Sequence, residues 1–243
     1  MAHIWRKMIL LDLMTIMEGH KKHDTNELER LSFSKWDIKT YGKGTAYPFV
    51  VIDNWYLPHE EKLVWSEIDF LISNPLFGEM VDDSSEEVAK YDGKKSKAMN
   101  KRIFYNKYFR DTRISHIVNC MYKQRSREFD EILYENCLPY YRNFQDSNVD
   151  STFLSFYGDN DYYDTHCDTS FFTCLIWMVK EPRRFDGGDF ELTDIDHMIE
   201  LKNNRMVMIP GCFNHKVHQL KFHDRNENSY GKYTISHFYL HIP

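Results

Sequence analysis

The sequence predicts an α+β fold in which N-terminal helices pack on an antiparallel β-structure formed by the C-terminal half of the chain. Apolar residues recur at helical spacing before residue 148, and short runs of alternating apolar and polar residues follow it. Strands without intervening helices are typical of an antiparallel sandwich or small barrel. Since neither a repeat nor a Gly/Ser-rich linker divides the halves, we expect a single domain over residues 1–243. Turn signals separate the runs at 158–160, 186–189, 203–204 and 226–231.

Composition bounds the class of protein before any motif is considered. The 243 residues are 42% hydrophobic and 16% aromatic, which is typical of a packed globular chain and excludes general disorder. A formal net charge of -6 disfavours nucleic acid as a partner, because nucleic-acid-binding domains usually carry a basic excess. The five cysteines form no CxxC pair, so we expect no disulfide framework, no structural zinc site and a reducing, cytoplasmic location.

Residues 1–45 are interpreted as a variable lead-in. An apolar stretch at 8–17 follows Arg6 and Lys7, as it would in an export signal. Asp12 interrupts this stretch, no small-residue cleavage site follows it, and it is too short to span a bilayer. We therefore predict that residues 8–17 form a helix or strand that packs in the protein core, and we expect no membrane partner.

Residues 46–148 are predicted to support the C-terminal half, mainly with helices. The run at 47–53 is rich in β-branched and aromatic residues and predicts a strand. Pro58, followed by apolar residues at helical spacing, predicts a helix of roughly four turns.

The rest of this support alternates between a loop, a strand and helices. The polar segment 82–100 predicts a surface loop or a mobile lid. Residues 101–109 alternate enough to predict a strand. Residues 111–143 predict helices that are broken near 124–126 and at Pro139.

A candidate metal site begins at the tripeptide His166-Cys167-Asp168. Residues two apart in a strand point to the same face, so His166 and Asp168 can reach one metal ion while Cys167 points away. The spacing alone is weak, because a chain with 12 His and abundant Asp contains about one HxD by chance. A second histidine would complete a two-His-one-carboxylate face with open metal positions. The candidates for it are His215, His218, His223, His237 and His241.

His215 is the predicted second histidine. It follows the Pro210-Gly211 turn and lies at the mouth of a predicted strand, where a side chain can meet a metal ion at the end of a barrel. His218, on the other face of that strand, is the alternative. His237 and His241 share a face with apolar residues of the last strand, where core or surface histidines are expected.

Six motifs in the C-terminal half occur in an order that resembles a known family. They are YYDTHCD, TCLIWMV, FDGGDFEL, NRMVMIPG, HKV and GKYTISHFY. Together they resemble the double-stranded β-helix oxygenases that use Fe(II) and 2-oxoglutarate, in particular the prolyl 4-hydroxylase-like branch. The resemblance covers residues 150–243, and YPFVVIDNWYLPHEE resembles the N-terminal support of that branch. It implies a double-stranded β-helix (jelly-roll or cupin-like) catalytic core over 149–243.

The resemblance also implies roles for individual residues. His166, Asp168 and His215 would be the iron ligands. Lys232 would pair with the distal carboxylate of 2-oxoglutarate, since a buried carboxylate has to be met by a cation and hydrogen bonds. Ser236 lies on the Lys232 face of the last strand and matches a position that donates a hydroxyl to the same carboxylate.

Two aromatic residues and one interval qualify the resemblance. Tyr163 matches an aromatic position that lines the cofactor or substrate pocket. Trp177 stands where several relatives have a cosubstrate-binding tyrosine, and an indole can donate a hydrogen bond but not accept one. The 17 positions from His215 to Lys232 exceed the usual interval, and the excess falls in the polar turn 224–231.

The implied activity is hydroxylation of an unactivated C–H bond with release of succinate and CO2. Fe(II), 2-oxoglutarate and O2 are the implied cofactors and cosubstrates, with ascorbate as a reductant. Asp168 favours hydroxylation over halogenation, because related halogenases have Gly or Ala there. The expected substrate is a prolyl residue in a peptide or protein, and the alternative is a free amino acid or another small molecule. The expected substrate contacts lie in 82–100, 101–109 and 158–162 and include Arg102, Tyr105 and Asn106.

Three other interpretations remain open from the sequence. A zinc hydrolase uses the same ligand types, although no HExxH helix or other general-base motif adjoins the ligands. A non-catalytic metal-binding β-barrel is the second. A nucleobase oxygenase of the same mechanism is the third, and the acidic net charge disfavours it.

Overall fold

The computed structural model describes residues 36–74, 78–82, 90–91, 94–95, 98–108, 114–224 and 230–242. No helix within these ranges has both the length and the apolar character needed to cross a bilayer. The helices are α1 (Pro58–Ser73), α2 (Tyr105–Tyr108), α3 (His116–Cys120), α4 (Arg127–Asn136) and α5 (Leu138–Gln145), and a 3₁₀ turn, Met121–Arg125, lies between α3 and α4. The strands are β1 (Asp37–Tyr41), β2 (Phe49–Asp53), β3 (Glu79–Val81), β4 (Lys90–Tyr91), β5 (Lys94–Lys95), β6 (Ala98–Phe104), β7 (Val149–Tyr157), β8 (Tyr162–His166), β9 (Phe172–Val179), β10 (Phe185–Gly187), β11 (Phe190–Leu192), β12 (His197–Ile199), β13 (Arg205–Pro210), β14 (His215–Val217), β15 (Leu220–Phe222) and β16 (Lys232–Leu240).

Some predictions concern residues outside these ranges. The apolar stretch 8–17 lies outside the described residues, as do most of the polar segment 82–100, the turn residues 225–229 and the side chain of Asn106. The predicted core element and the predicted lid therefore stay predictions.

Eight of the ten strands after residue 148 form two antiparallel groups, between which the chain passes back and forth, and the other two, β10 and β15, pair with each other. Four strands pair in the order β7-β16-β9-β13, which we call the first sheet. Four others pair in the order β8-β14-β11-β12, which we call the second sheet. Strand β6 connects the two, because one part of it pairs with β8 and another with β7. The helices before and the antiparallel strands after residue 148 agree with the predicted α+β class.

The first sheet is buried on both faces, which explains the unbroken apolar sequence of β9. One face packs on the helices, where Ile176 of β9 joins Ile68 of α1 and Leu133 of α4 in one apolar cluster. The other face packs on the second sheet, where Trp177 joins Phe190 of β11 in a second cluster. Alternate residues of one strand thus belong to different layers, as the two-residue period of a strand requires.

Helix α1 is confirmed at the predicted position and length. Pro58 occupies its first turn, where a missing N–H removes no helical hydrogen bond. The Glu60 carboxylate accepts a hydrogen bond of 2.8 Å from the Leu57 main-chain N–H, which caps the start of the helix. Val64, Ile68 and Leu71, three or four residues apart, form its fully buried face.

One prediction about the N-terminal half was wrong. Residues 101–109 do not form one strand, because β6 ends at Phe104 and α2 begins at Tyr105. The Tyr105 hydroxyl donates a 2.8 Å hydrogen bond to Glu67 of α1, so tertiary contacts draw the chain out of the sheet here. Within the predicted lead-in 1–45, β1 pairs with β2 beside the first sheet.

Candidate metal centre

The second sheet brings three of the sequence-predicted side chains together. His166 ends β8, Asp168 follows two residues later, and His215 begins the adjacent strand β14 directly opposite His166. One ligand atom from each of the three lies within 4.8 Å of the others. The Nε2 atom of His215 lies 3.7 Å from Oδ2 of Asp168. This geometry fits a single metal ion that is bound on one side only.

Main-chain carbonyl groups orient both imidazoles. Nδ1 of His166 donates a 2.8 Å hydrogen bond to the carbonyl oxygen of Asp164, and Nδ1 of His215 donates one of 2.8 Å to Phe213. A carbonyl oxygen can only accept, so in each neutral ring the proton is on Nδ1. The Nε2 lone pairs are therefore left for a metal ion.

The turn after β8 holds the Asp168 carboxylate. The Thr173 hydroxyl donates a 2.6 Å hydrogen bond to Oδ2 of Asp168 and shares a second, 2.8 Å hydrogen bond with Ser170. The Asp168 main-chain N–H donates to Gly211 at 2.8 Å. Gly211 is needed at this approach, because a Cβ atom there would lie 2.1 Å from the carbonyl oxygen of Ser170. The Pro210-Gly211 turn thereby fixes Asp168 relative to β14.

Burial keeps the imidazole of His166 neutral. Desolvation and the neighbouring His215 hold the pKa of His166 well below its usual value. The Tyr163 ring stacks on the imidazole at a centroid distance of 3.7 Å, which removes water from that face. A histidine that stays neutral does not have to lose a proton before it binds a metal ion.

A cavity of about 630 Å³ adjoins the three side chains, and Lys232 lies behind two of its lining residues. The Lys232 side chain is fully buried, and its ammonium group is 4.8 Å from the Trp177 ring and 5.7 Å from the Tyr157 ring. Its Nζ donates a 2.8 Å hydrogen bond to the carbonyl oxygen of Gly188. Burial lowers the pKa of Lys232 to about 7, although the Asp189 carboxylate acts in the opposite direction.

Two buried polar atoms of the cavity lining lack a hydrogen-bond partner. They are Nε1 of Trp177 and Oγ1 of Thr234, which lie opposite each other on β9 and β16. A buried donor without a partner lowers the free energy of unfolding by about 1–3 kcal/mol. Both atoms would therefore be stabilised by an acceptor in the cavity. Together with Lys232 they are suited to a carboxylate.

The remaining sequence-predicted positions are distributed as follows. Ser236 and Tyr163 line the cavity, as expected from their faces of β16 and β8. His218 points elsewhere and bonds Glu191 at 2.7 Å. His237 is buried on the helix-facing side of β16, where its Nδ1 is 2.7 Å from the Thr152 hydroxyl. His241 is exposed and bonds a main-chain carbonyl at 2.9 Å.

Two threonines at the candidate metal centre and its cavity were not predicted from the sequence. Thr234 lies between Lys232 and Ser236 on the same face of β16, so the two-residue period could have found it. Thr173 has no local signal, because its contact with Asp168 depends on how the turn after β8 folds back.

Comparisons with known proteins place the fold. No protein-family model and no curated protein matches the sequence. A prolyl-4-hydroxylase of Pseudomonas putida has a similar structure, with a TM-score of 0.52 and 8% identity over 82% of this chain and 95% of that chain. At this identity the likeness shows a shared fold.

Two further solved structures resemble the chain more weakly. An oxidoreductase of the 2OG-Fe(II) oxygenase family from Burkholderia pseudomallei gives a TM-score of 0.48 at 16% identity, over 79% of this chain and 84% of that chain. A viral collagen prolyl hydroxylase from Paramecium Bursaria Chlorella virus-1, in complex with 2OG, gives 0.46 at 12% identity, over 80% and 96%. The fold assignment rests on the first structure alone.

Proposed function

We propose that this chain is an Fe(II)- and 2-oxoglutarate-dependent oxygenase that hydroxylates an unactivated C–H bond, with release of succinate and CO2. The observation that carries the proposal is the combination of two sites in one cavity. His166, Asp168 and His215 converge at the cavity, and Trp177 and Thr234 line it with buried, unpartnered donors. A metal site and a carboxylate site side by side are what this reaction requires.

The two sheets are proposed to form a double-stranded β-helix. The repeated passage of the chain between the first and second sheets supports this, as does the likeness to the Pseudomonas putida enzyme. Strands β2 and β6 join the sheets from the N-terminal half, which supports a single domain. All five cysteines are unpaired, which supports a reducing, cytoplasmic location.

The donor set suits Fe(II). Two neutral imidazoles and one carboxylate on one side of an ion leave open positions, as in non-heme iron oxygenases. With 2-oxoglutarate and O2 bound, iron would supply the oxidant that removes hydrogen from the substrate, and ascorbate would serve as a reductant. Thr173 holds Asp168 in place, and the two carbonyl acceptors keep His166 and His215 in the ligating tautomer.

The chain's own residues would hold 2-oxoglutarate at its distal carboxylate. Lys232 would supply the positive charge, while Trp177 and Thr234 would supply hydrogen bonds from Nε1 and Oγ1. Ser236 would contribute a further hydroxyl from the same face of β16. A buried carboxylate is tolerated only when it is paired and hydrogen-bonded, and these residues meet both needs.

The proposed substrate is a prolyl residue in a peptide or protein. Phe104, Phe153 and Phe238 line the cavity as one aromatic wall, with successive ring centroids 5.3 and 5.2 Å apart. Aromatic walls of this kind bind prolyl segments. The Pseudomonas putida structure is described as a prolyl-4-hydroxylase, which supports the same choice. A free amino acid or other small molecule is the alternative.

Anaerobic absorption spectroscopy tests the proposal. Addition of Fe(II) and then 2-oxoglutarate should produce a metal-to-ligand absorption band, and O2 should then release succinate. Asp168→Ala should lose both signals, whereas His218→Ala should keep both, because His218 is bonded to Glu191 away from the centre. A protein that binds Fe(II) but shows no band with 2-oxoglutarate would contradict the proposal and leave the metal-binding barrel or a zinc hydrolase.

A further inference from the structure

We infer that Arg102 binds a carboxylate of the substrate, so that the substrate is an organic anion held at a fixed distance from the metal centre. The inference rests on the proposed function, because it assigns the substrate side of the same cavity. It goes further by naming the group that the enzyme recognises and the residue that recognises it.

Arg102 is held rigidly in the cavity wall. It lies on β6, lines the cavity and is only 4% exposed. Its guanidinium carbon is 4.9 Å from the centroid of the Tyr163 ring and 5.2 Å from that of Phe153. Nε donates a 2.9 Å hydrogen bond to Oδ1 of Asn100, which fixes the plane of the group. A guanidinium fixed in this way is preorganised to bind a planar carboxylate with two parallel hydrogen bonds.

The position of Arg102 relative to the metal centre suits a substrate contact. The Tyr163 ring lies 3.7 Å from the His166 ring and 4.9 Å from the Arg102 guanidinium. Arg102 is therefore no farther from the His166 imidazole than these two distances combined. A molecule whose carboxylate is only a few bonds from the oxidised carbon can span this gap.

Asn100 provides an independent sign of a missing acceptor. Its side chain is fully buried, and Nδ2 has no hydrogen-bond partner although Oδ1 accepts from Arg102. A buried amide N–H group is normally satisfied. Nδ2 belongs to the same amide that contacts the guanidinium, so this unmet donor lies beside Arg102, and Asn100 itself is not among the residues that line the cavity.

The charges of the cavity favour an anion on this side. Among the described lining residues, Asp168 is the single carboxylate, and it belongs to the metal centre. Arg102, on β6, adds positive charge two strands away from the Lys232 strand β16 in the strand order β9-β16-β7-β6. The partly exposed rings of Phe153 and Phe238 would then hold the apolar part of the substrate.

A matched pair of ligands tests the inference by calorimetry. The protein is loaded with Mn(II) and 2-oxoglutarate and is then titrated with N-acetyl-L-proline or with its carboxamide. The wild type should bind the acid about 10- to 100-fold more tightly than the amide, and Arg102→Gln should remove this preference. Arg102→Lys should keep part of the preference for the acid, because lysine retains the positive charge but lacks the paired N–H donors of a guanidinium. Lys101→Gln removes a charge from the opposite face of β6 and should change nothing.

Two ligands distinguish whether the recognised carboxylate belongs to the target residue or to a neighbouring side chain. A capped Asp-Pro dipeptide amide carries the acid on a side chain, whereas N-acetyl-L-proline carries it on the target residue. The ligand with the stronger dependence on Arg102 identifies the source. The inference alone would be overturned if the wild type bound acid and amide equally and its affinity for the Asp-Pro dipeptide were unchanged in Arg102→Gln, or if an acid preference survived in Arg102→Gln with an unchanged melting temperature. A protein that fails to load Mn(II) and 2-oxoglutarate would overturn the proposed function together with it.

Discussion

Lys232 is the residue whose burial has the clearest chemical consequence. Its pKa lies near 7 because the side chain is fully desolvated. A bound dicarboxylate would raise that pKa again, since the two opposite charges would stabilise each other. The proposed binding of 2-oxoglutarate and the protonation of Lys232 would therefore be linked.

The affinity for 2-oxoglutarate should depend on pH with a defined sign. Below about pH 7 the lysine is already protonated in the ligand-free protein, so its contribution to affinity is constant. Above that pH the protein has to take up a proton on binding, and affinity should fall by about tenfold per pH unit. Calorimetry of the Mn(II)-loaded protein in two buffers measures both the affinity and the proton uptake. Lys232→Arg stays protonated and should lose the slope, so a slope that persists in this variant would refute the linkage.

Thr234 offers a test in which stability and affinity move in opposite directions. Its buried hydroxyl has no partner, so Thr234→Val should raise the free energy of unfolding of the ligand-free protein by about 1 kcal/mol. The same change should weaken 2-oxoglutarate binding about tenfold, because the carboxylate loses a donor. Chemical denaturation and calorimetry measure the two effects.

Thr152→Val is the matched control. The Thr152 hydroxyl is also buried in the first sheet, but it is 2.7 Å from Nδ1 of His237 on the other face. This variant should lose about 1 kcal/mol of stability and leave 2-oxoglutarate affinity unchanged. If both threonine variants lose stability alike, the Thr234 hydroxyl has a structural role instead.

The candidate site shows which single residues a sequence can predict. His166 and Asp168 are two apart in a strand, and His215 follows a turn at a strand mouth, so local periodicity and position were enough to bring them together as candidates. The Thr173 contact could not be predicted, because it depends on the path of a turn. The tautomers of His166 and His215 are likewise set by main-chain carbonyls that only the folded chain places.

The periodicity of apolar residues predicted most strands and helices correctly. It failed where contacts with distant residues override the local preference for a strand. The strand after residue 100 ends at Phe104, although Lys107 continues the alternating pattern. Lys107 instead pairs with Glu79 at 3.0 Å, and Tyr105 bonds Glu67 of α1. Glu79 and Glu67 are both far from these residues in sequence, so the local pattern could not predict these contacts. Strand β1 was missed for a related reason, since its residues are mostly exposed and it is specified by its pairing with β2.

A buried ion pair between β2 and β13 fixes the register of the first sheet at its outer side. Asp53 and Arg205 face each other across the two strands, with hydrogen bonds of 2.5 and 2.9 Å to the carboxylate. Burial alone would raise the pKa of Asp53, but the hydrogen bonds and charges of Arg205 and Lys202 lower it to about 2. Its ionic contribution is therefore complete above the unfolded value of 3.8 and is lost as the pH falls towards 2.

Arg205→Met should cost about 3 kcal/mol of unfolding free energy at neutral pH, because it leaves the Asp53 carboxylate buried without its main partner. Lys202→Met removes the second, half-exposed partner and should cost less than about 1 kcal/mol. Urea denaturation at neutral pH and at about pH 3 measures the difference. The Arg205→Met deficit should shrink in acid, because in the variant the buried Asp53 carboxylate has lost Arg205 and takes up a proton instead of remaining charged and unpaired. A deficit of equal size at both pH values would show that packing, and not charge, carries the effect.

The layered arrangement of the molecule makes the candidate metal centre a link between elements that are far apart in sequence. The helices cover one face of the first sheet, the second sheet covers the other, and the cavity draws its lining from both sheets. The three candidate ligands belong to the end of β8, the turn after it and the start of β14. An ion bound there would join these segments in the folded state only, so it should stabilise the fold.

Thermal unfolding with and without ligands tests this link. Divalent metal at about 100 times its dissociation constant should add about 2.7 kcal/mol, which corresponds to about 5–10 °C for a chain of this size. Chelation by EDTA should reverse the shift, His215→Ala should not show it, and His218→Ala should show it in full, because His218 bonds Glu191 instead. 2-Oxoglutarate should add a further shift only after the metal has bound, since its proposed site comprises both the ion and Lys232. A metal shift to which 2-oxoglutarate adds nothing would leave the ion bound but without the proposed cosubstrate, and that outcome would favour the zinc hydrolase or the non-catalytic barrel.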